Sequence, residues 1–301
     1  MTLAPVQDPR HRRAELAIVA VAFVWGSSFV IVKSALSDVS TFLFLGLRFT
    51  LAAILLAIAL RHRLSNTSGS AVAWRGGLIS GGLLFAGYAF QTSGLRYTTA
   101  SRSAFITGLF VVLVPLLSSA VKQVRPHKAE LLGAVCALIG TSLMTSGDLN
   151  LKPNKGDLLT LGCSFAYSGH MLAVAHYSRR SGIERLSVFQ IAFVALFAWL
   201  AVAWAETPHI VWSGRLLFAL AFTATFATAL CFLIYTWAQR HTSASRAALL
   251  FALEPVFAGL LAWLFAGDSW TGRALLGAAL ILSGIVLVEV KPSWASPHQD
   301  G

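Results

Sequence analysis

The stretch "RYTTASRSA", Arg96 to Ala104, returns almost unchanged as "RHTSASRAA", Arg240 to Ala248. The copies lie 144 residues apart and share Arg, Thr, Ala, Ser, Arg and Ala in register. The same offset lays "LLGA" at 131–134 on "LLGA" at 275–278, Gly140 on Gly284 and Leu143 on Leu287. Residues from about 100 to 146 therefore match 244 to 290 without a gap, and the chain reads as a duplication.

Composition sets the medium. Of 301 residues 56% are hydrophobic and only 12% are charged, about half the charge of an ordinary water-soluble domain. That leaves too little polar surface to cover a soluble globule, so a bilayer is the natural solvent. The formal net charge of +11 does not indicate nucleic acid. The basic residues form short clusters between long apolar runs, and no zinc-finger spacing or other nucleic-acid motif accompanies them. Cys136, Cys163 and Cys231 lie within apolar runs with no CxxC, so neither a disulfide framework nor a metal site is expected. The apolar run 14–36 is too long for a signal peptide and lacks a cleavage site; it reads as a first spanning helix.

Spans of about 20 apolar residues, cut at charge clusters and turn residues, give ten expected helices: 14–36, 40–60, 72–95, 100–121, 129–146, 156–178, 186–205, 214–238, 244–266 and 273–290. Their short connections make sequence neighbours antiparallel. With the N-terminus inside, fifteen loop and end positions face the cytoplasm: Arg10, Arg12, Arg13, Arg61, Arg63, Arg75, Lys122, Arg125, Lys128, Arg179, Arg180, Arg185, Arg240, Arg246 and Lys291. Only six, Arg96, Arg102, Lys152, Lys155, Arg215 and Arg273, face outward. This bias puts both termini in the cytoplasm. The expected organisation is an all-α integral membrane protein: a cytoplasmic segment 1–13, a five-helix repeat 14–147, a linker 148–155, a second repeat 156–290 and a cytoplasmic tail 291–301. Five is odd, so the second repeat enters from the opposite face, an inverted repeat of the kind that builds secondary transporters.

Four segments carry a family resemblance: "WGSSFVIVKSAL" (25–36), "LRYTTASRSAFITGL" (95–109), "ALEPVFAGLLAWLF" (252–265) and "LLGAALILSGIVLVE" (275–289). Their order, spacing and duplication resemble the EamA-type permeases of the drug/metabolite transporter superfamily over about 14–290. The resemblance implies a ten-helix carrier with a central cavity, often an exporter of amino acids or related metabolites, in the plasma membrane (a bacterial inner membrane). One departure stands out. Pro115 in the fourth expected helix does not align with Pro255 in the ninth, so the halves are expected to differ at their helix breaks.

Candidate functional residues follow from depth. Of twelve carboxylates only Glu254 lies well inside a span. A carboxylate there must face a cavity, find a partner or hold its proton, which suits proton coupling or an amine substrate; bonding to neighbouring helices is the equal structural alternative. Arg48 lies at similar depth and is the natural counter-charge. It could also bind a carboxylate through its fork. Lys33, near the outer end of the first helix, is expected to snorkel to the interface. Among the aromatics Trp25, Phe29, Tyr88, Phe105, Tyr167, Phe226, Tyr235 and Trp263, the mid-depth Trp25 and Tyr167 could line a cavity, although core packing is the commoner role. Ser27, Ser28, Gln91, Thr107 and His170 are polar at helix depth. Serines and threonines there usually bond their own helix, and a helix-contact role is the simpler one for His170, whose imidazole class titrates near neutrality in water. After Trp25, "GSS" allows close approach of a backbone or a substrate. Arg102 and Arg246 fall in the first turns of equivalent helices, where a cation opposes the helix dipole. Each is expected to contact lipid phosphate or to act as a gate at its own face. Gly77 and Gly81 fit small-residue packing, inside the bundle or in a weak homodimer.

No HExxH, GxSxG or GxxxxGK[ST] motif occurs, which argues against enzyme chemistry and against ATP as the energy source. No cofactor is expected. A channel would need a charged or carbonyl-lined filter. The leading expectation is a secondary carrier of small molecules, driven by protons or exchange, or simply facilitating, with drug-like amphiphiles as the alternative cargo.

Overall fold

The computed structural model describes residues 9–64, 70–122, 128–145, 154–261, 264 and 271–289. Trp263, most of the linker, the C-terminal tail and the first eight residues lie outside the described residues.

The described residues are almost wholly helical, because a bilayer leaves backbone groups no partner but each other. The helices are α1 Pro9–Ala35, α2 Thr41–Leu64, α3 Ser70–Gly94, α4 Ala100–Thr107, α5 Phe110–Lys122, α6 Lys128–Thr145, α7 Lys155–Tyr177, α8 Ile183–Ala205 and α9 Gly214–Phe222. A π-helical segment, Thr223–Leu230, continues into α10 Cys231–His241, and α11 Ala244–Phe251, α12 Glu254–Leu261 and α13 Gly272–Glu289 follow. Seven helical stretches among the described residues are long and apolar enough to cross a membrane. Helices α3, α6 and α13 are not among them. In α3 the reason is visible in its sequence: Gly76, Gly77, Ser80, Gly81, Gly82 and Gly87 stand where aliphatic residues would raise hydropathy.

Those glycines act through close packing. A Cβ at Gly77 would meet the Phe189 Cβ at 2.3 Å, and one at Gly81 the Gln190 carbonyl at 2.7 Å, so both seat α3 against α8. On another flank, α6 and α13 touch backbone to backbone. A Cβ at Gly140 would lie 2.4 Å from the Gly277 carbonyl, and one at Gly133 2.8 Å from that of Gly284.

Three expected continuous helices are interrupted. The fourth breaks at Gly108–Leu109 between α4 and α5, and the ninth at Ala252–Leu253 between α11 and α12. These breaks lie 144 residues apart. The expectation that Pro115 marks a break is therefore corrected: the two breaks fall at equivalent positions, and Pro115 sits inside α5. A proline removes only one intrahelical hydrogen bond, which neighbours in a membrane bundle can offset. Pro255, by contrast, is the second residue of α12, a position where a missing N–H costs little. The eighth expected helix carries the π segment, whose wider turns shift the register of everything after it.

Polar contacts fix the ends of the bundle. At one end the Glu206 carboxylate accepts from the amides of Phe42 (3.0 Å) and Leu43 (2.7 Å) and from the Ser40 hydroxyl (2.9 Å), capping α2 where a helix presents unpaired donors. Asp38 receives Arg215 (Nη2 to Oδ1, 2.6 Å) and the Ser213 hydroxyl (2.5 Å), and these hold its carboxyl down at about 2. Lys33 does not snorkel. Its ammonium donates to the carbonyls of Leu95 and Thr98, which lie just past the end of α3, where carbonyls lack helical partners. At the opposite end Arg63 pairs with Glu184 (3.2 Å) and Arg185 donates to the Leu64 carbonyl (3.2 Å).

Candidate substrate cavity

The helix interruptions converge on one space. A cavity is lined by residues from α1, α2, α3, α4, α5, α7, α10, α11 and α12, a concave, mostly apolar site with a few polar groups, as small-molecule sites are built. Trp25, Ser28 and Phe29 enter from α1, Arg48 from α2, and Tyr88 and Gln91 from α3. Thr107 and Phe110 flank the first break, Phe251 and Glu254 the second. Tyr167 and His170 come from α7, Phe232 and Tyr235 from α10.

Arg48 is 2% exposed and held in place by two hydrogen bonds. Its Nε donates to Thr228 Oγ1 at 2.8 Å and Nη2 to the Tyr88 hydroxyl at 3.2 Å. The guanidinium carbon lies 4.8 Å from the Tyr88 ring centroid and 5.3 Å from that of Phe49, a cation–π arrangement. Thr228 is supplied by the π segment, which turns its hydroxyl toward the charge. Trp25 uses the same segment: its indole N–H donates to the Ala227 carbonyl at 2.8 Å. The Trp25 ring stacks on Phe251 at 4.9 Å and touches Phe232 at 5.2 Å.

Glu254 is the first residue of α12 and half-buried at the cavity wall. No ion pair within 4 Å joins it to Arg48, so the anticipated pair is corrected: both charges line one cavity, but Arg48 is held by Thr228 and Tyr88 instead. Close approach at "WGSS" belongs to the backbone. A Cβ at Gly26 would lie 2.6 Å from the Glu254 carbonyl oxygen, so glycine there lets α1 lie against the start of α12.

The polar wall opposite is a chain. The Tyr167 hydroxyl donates to Gln91 Oε1 (3.2 Å), and the Gln91 amide donates to Thr107 Oγ1 (3.2 Å). His170 bonds Gln190 (Nε2 to Oε1, 3.1 Å), Gln190 donates on to Thr236 (2.9 Å), and the imidazole stacks on Tyr235 at 5.9 Å. His170 is thus both a helix-contact residue and part of the wall. Ser28 lines the cavity while donating to the Trp25 carbonyl (2.8 Å); Ser27 bonds its own helix at Val24 (2.7 Å) and is not among the lining residues. Phe105 is also absent from the lining, and Phe226 is 49% exposed on the bundle surface.

The two gate candidates, expected to contact lipid phosphate or to act as gates, have protein partners. Arg102 pairs with Asp157 (2.5 Å) and Arg246 with Glu15 (2.9 Å). Each arginine amide is capped, Arg102 by Thr99 and Arg246 by Ser243, both at 3.2 Å. The Thr98 hydroxyl donates to Asp157 (3.2 Å).

Residues 12–146 and 154–290 each match the EamA-like transporter family. The chain belongs to that family. This EamA-family transporter is 33% identical over 281 residues to a protein of Archaeoglobus fulgidus named an uncharacterized transporter, covering 92% of this chain and 86% of the relative. It is 26% identical to a Salmonella typhimurium protein named "Probable amino-acid metabolite efflux pump", covering 92% of this chain and 94% of the relative. A solved crystal structure shares its fold with a TM-score of 0.74 at 20% identity, over 91% of this chain and 96% of that one. With its long apolar helices, the EamA-family chain is a multi-pass membrane protein that acts on small molecules.

Proposed function

We propose that this transporter is a secondary carrier exporting amino acids or closely related amphiphilic metabolites across the plasma membrane. In this reading ten spans form two inverted five-helix halves, residues 14–147 and 156–290, with both termini cytoplasmic, and the halves rock about a midplane site. The supporting observation is that Arg48 and Glu254 line one aromatic-walled cavity without pairing to each other. Two opposite charges left apart by the protein complement a ligand that carries both. A substrate carboxylate meets the Arg48 side and an amine the Glu254 side, while Trp25, Phe232 and Phe251 receive its apolar part. Glu254 is also the group that couples export to protons: it binds either the amine or a proton as the cavity changes face.

Proteoliposomes loaded with a panel of labelled amino acids, with and without a pH gradient, test this. Efflux of apolar and aromatic members, with the gradient dependence lost in Glu254→Gln, is the expected result. No transport of any member by folded protein sinks the carrier reading, and gradient dependence surviving in Glu254→Gln removes that residue from coupling. The predominance of aromatic lining favours one second reading, a cationic drug-like amphiphile without a carboxylate. Arg48→Gln would spare transport of such a cation and abolish that of an amino acid.

A further inference from the structure

Helices α4 and α11 are both eight residues long. Each starts at a hydroxyl cap, carries an arginine as its third residue, and ends at a break beside the cavity. The arginine of each is paired across the bundle. Arg102 of α4 meets Asp157 in the first turn of α7, with the two side chains 14% and 9% exposed. Arg246 of α11 meets Glu15 near the start of α1, at 16% and 14%. The partners correspond as the arginines do: α1 opens the first matched region and α7 the second. Each pair therefore joins one half of the chain to the other, and the two pairs sit at opposite ends of the bundle.

Each is embedded in further polar contacts. Asp157 also accepts from the Asn154 amide (2.8 Å) and from Thr98 (3.2 Å). Glu15 also lies 2.8 Å from His11, whose other ring nitrogen is 2.8 Å from the His241 carbonyl. The far ends of the short helices place Thr107 and Phe251 in the cavity wall.

We infer that Arg102–Asp157 and Arg246–Glu15 are alternating latches, one closing each mouth of the cavity, and that α4 and α11 are the levers that link each latch to the cavity wall. A largely desolvated ion pair contributes little net stability, because dehydration of the charges offsets their attraction. When a mouth opens, water reaches both ions and replaces that attraction. Such a pair can thus part at one end while its counterpart holds at the other, whereas an apolar seal would strongly favour closure. Both pairs are formed here. Removing one arginine leaves Asp157 or Glu15 with only its remaining partners in the closed mouth but hydrated in the open one, and so favours opening of that mouth.

The inference rests on the carrier reading, but its test needs no transported substrate. Ser28→Cys in a background with Cys136, Cys163 and Cys231 replaced by alanine reports access to the cavity. A membrane-impermeant maleimide is applied to each face of oriented vesicles. Arg102→Gln is expected to raise labelling from the face where α4 starts by at least about tenfold, less than the full effect of breaking a buried pair because Asp157 keeps its bonds to Asn154 and Thr98, and to lower it from the other face. Arg246→Gln should do the reverse. Arg102→Lys and Arg246→Lys, which weaken the pairs without removing charge, should shift labelling in the same directions by less, and they carry the test if a glutamine variant fails to purify. Labelling that matches the parent on both faces, in variants with the parent's melting temperature, makes the pairs purely structural and overturns the inference. So does opening of one and the same face by both arginine variants. Face-specific opening without transport of any panel member would keep the latches and remove the proposed cargo.

Discussion

Gly26 is the tightest test of how the cavity is assembled. An alanine Cβ at this position would stand 2.6 Å from the Glu254 carbonyl oxygen and 3.3 Å from its carbonyl carbon. Ordinary contact begins at 3.4 Å, so the separation must grow by about 0.8 Å (3.4 less 2.6). The obstacle is backbone, which cannot swing aside as a side-chain tip would. Moving α1 by that amount stretches the Trp25–Ala227 hydrogen bond from 2.8 Å to at most about 3.6 Å, the edge of useful length. Overpacking of this kind costs about 1–3 kcal/mol, and the weakened bond at most about 1 more. The gain in helix propensity from glycine to alanine returns only about 1 kcal/mol. Gly26→Ala should therefore lose about 1–3 kcal/mol and much of its transport. Gly82→Ala is the control: it is also within a helix, but its Cβ would meet only a Phe197 ring carbon at 3.7 Å, so propensity should dominate and stability stay level or rise. Denaturant titration of both proteins in detergent, followed by tryptophan fluorescence, reads the difference. Gly26→Ala as stable as Gly82→Ala, with transport unchanged, would refute the packing argument.

Two further expectations concern the charges. Thr228→Val keeps side-chain volume but leaves the Arg48 Nε without its acceptor at 2.8 Å; it should cost about 1.5–3 kcal/mol, as for a hydrogen bond to a charged group, and Thr228→Ser should recover most of it in the same titration. Outside the spans, Asp38 is held at about 2 against an ordinary 3.8, chiefly by the Arg215 and Ser213 hydrogen bonds. A depressed carboxylate contributes stability above its unfolded pKa and loses it as pH falls through the folded one, so unfolding followed from pH 5 to pH 2 should show an acid-limb loss that is shallower in Asp38→Asn; identical limbs would remove Asp38 from the acid response.

Most of the helical ends were legible, because charge clusters and turn residues mark where an apolar run must leave the bilayer. The interruptions inside the runs were not. The break at Gly108–Leu109 contains no proline, while Pro115, the obvious breaker, lies within α5. Nothing in "TATFATAL" announces a π segment, although that segment supplies both Thr228 and the Ala227 carbonyl. The aromatic wall shows the same limit. Phe232 is 1% exposed and lines the cavity, whereas Phe226, six residues earlier, is 49% exposed on the outside. In water, polarity separates an inner face from an outer one; in lipid both faces are apolar, so composition alone could not tell the two phenylalanines apart or find Phe110 and Phe251. Asp157 and Glu15 were missed as partners for a related reason. A carboxylate near a helix end looks like any interfacial charge until the helix beside it is known.

The residue just past each break carries the main asymmetry. Phe110 opens α5 and Glu254 opens α12, 144 positions apart, and both line the cavity. The same backbone device thus presents a ring from one half and a carboxylate from the other. Arg48 adds an opposite charge from α2, held by Thr228 of the second half. A duplicated scaffold with identical residues at its paired positions would treat the two faces of the membrane alike. Here the ionisable group at the break moves with α12 alone. In the proposed mechanism, proton or amine binding therefore acts on the lever that leads through Phe251 and α11 to Arg246, and reaches Arg102 only through the cavity. In that reading, unequal residues at equivalent breaks let a two-fold frame couple at one side and close at both.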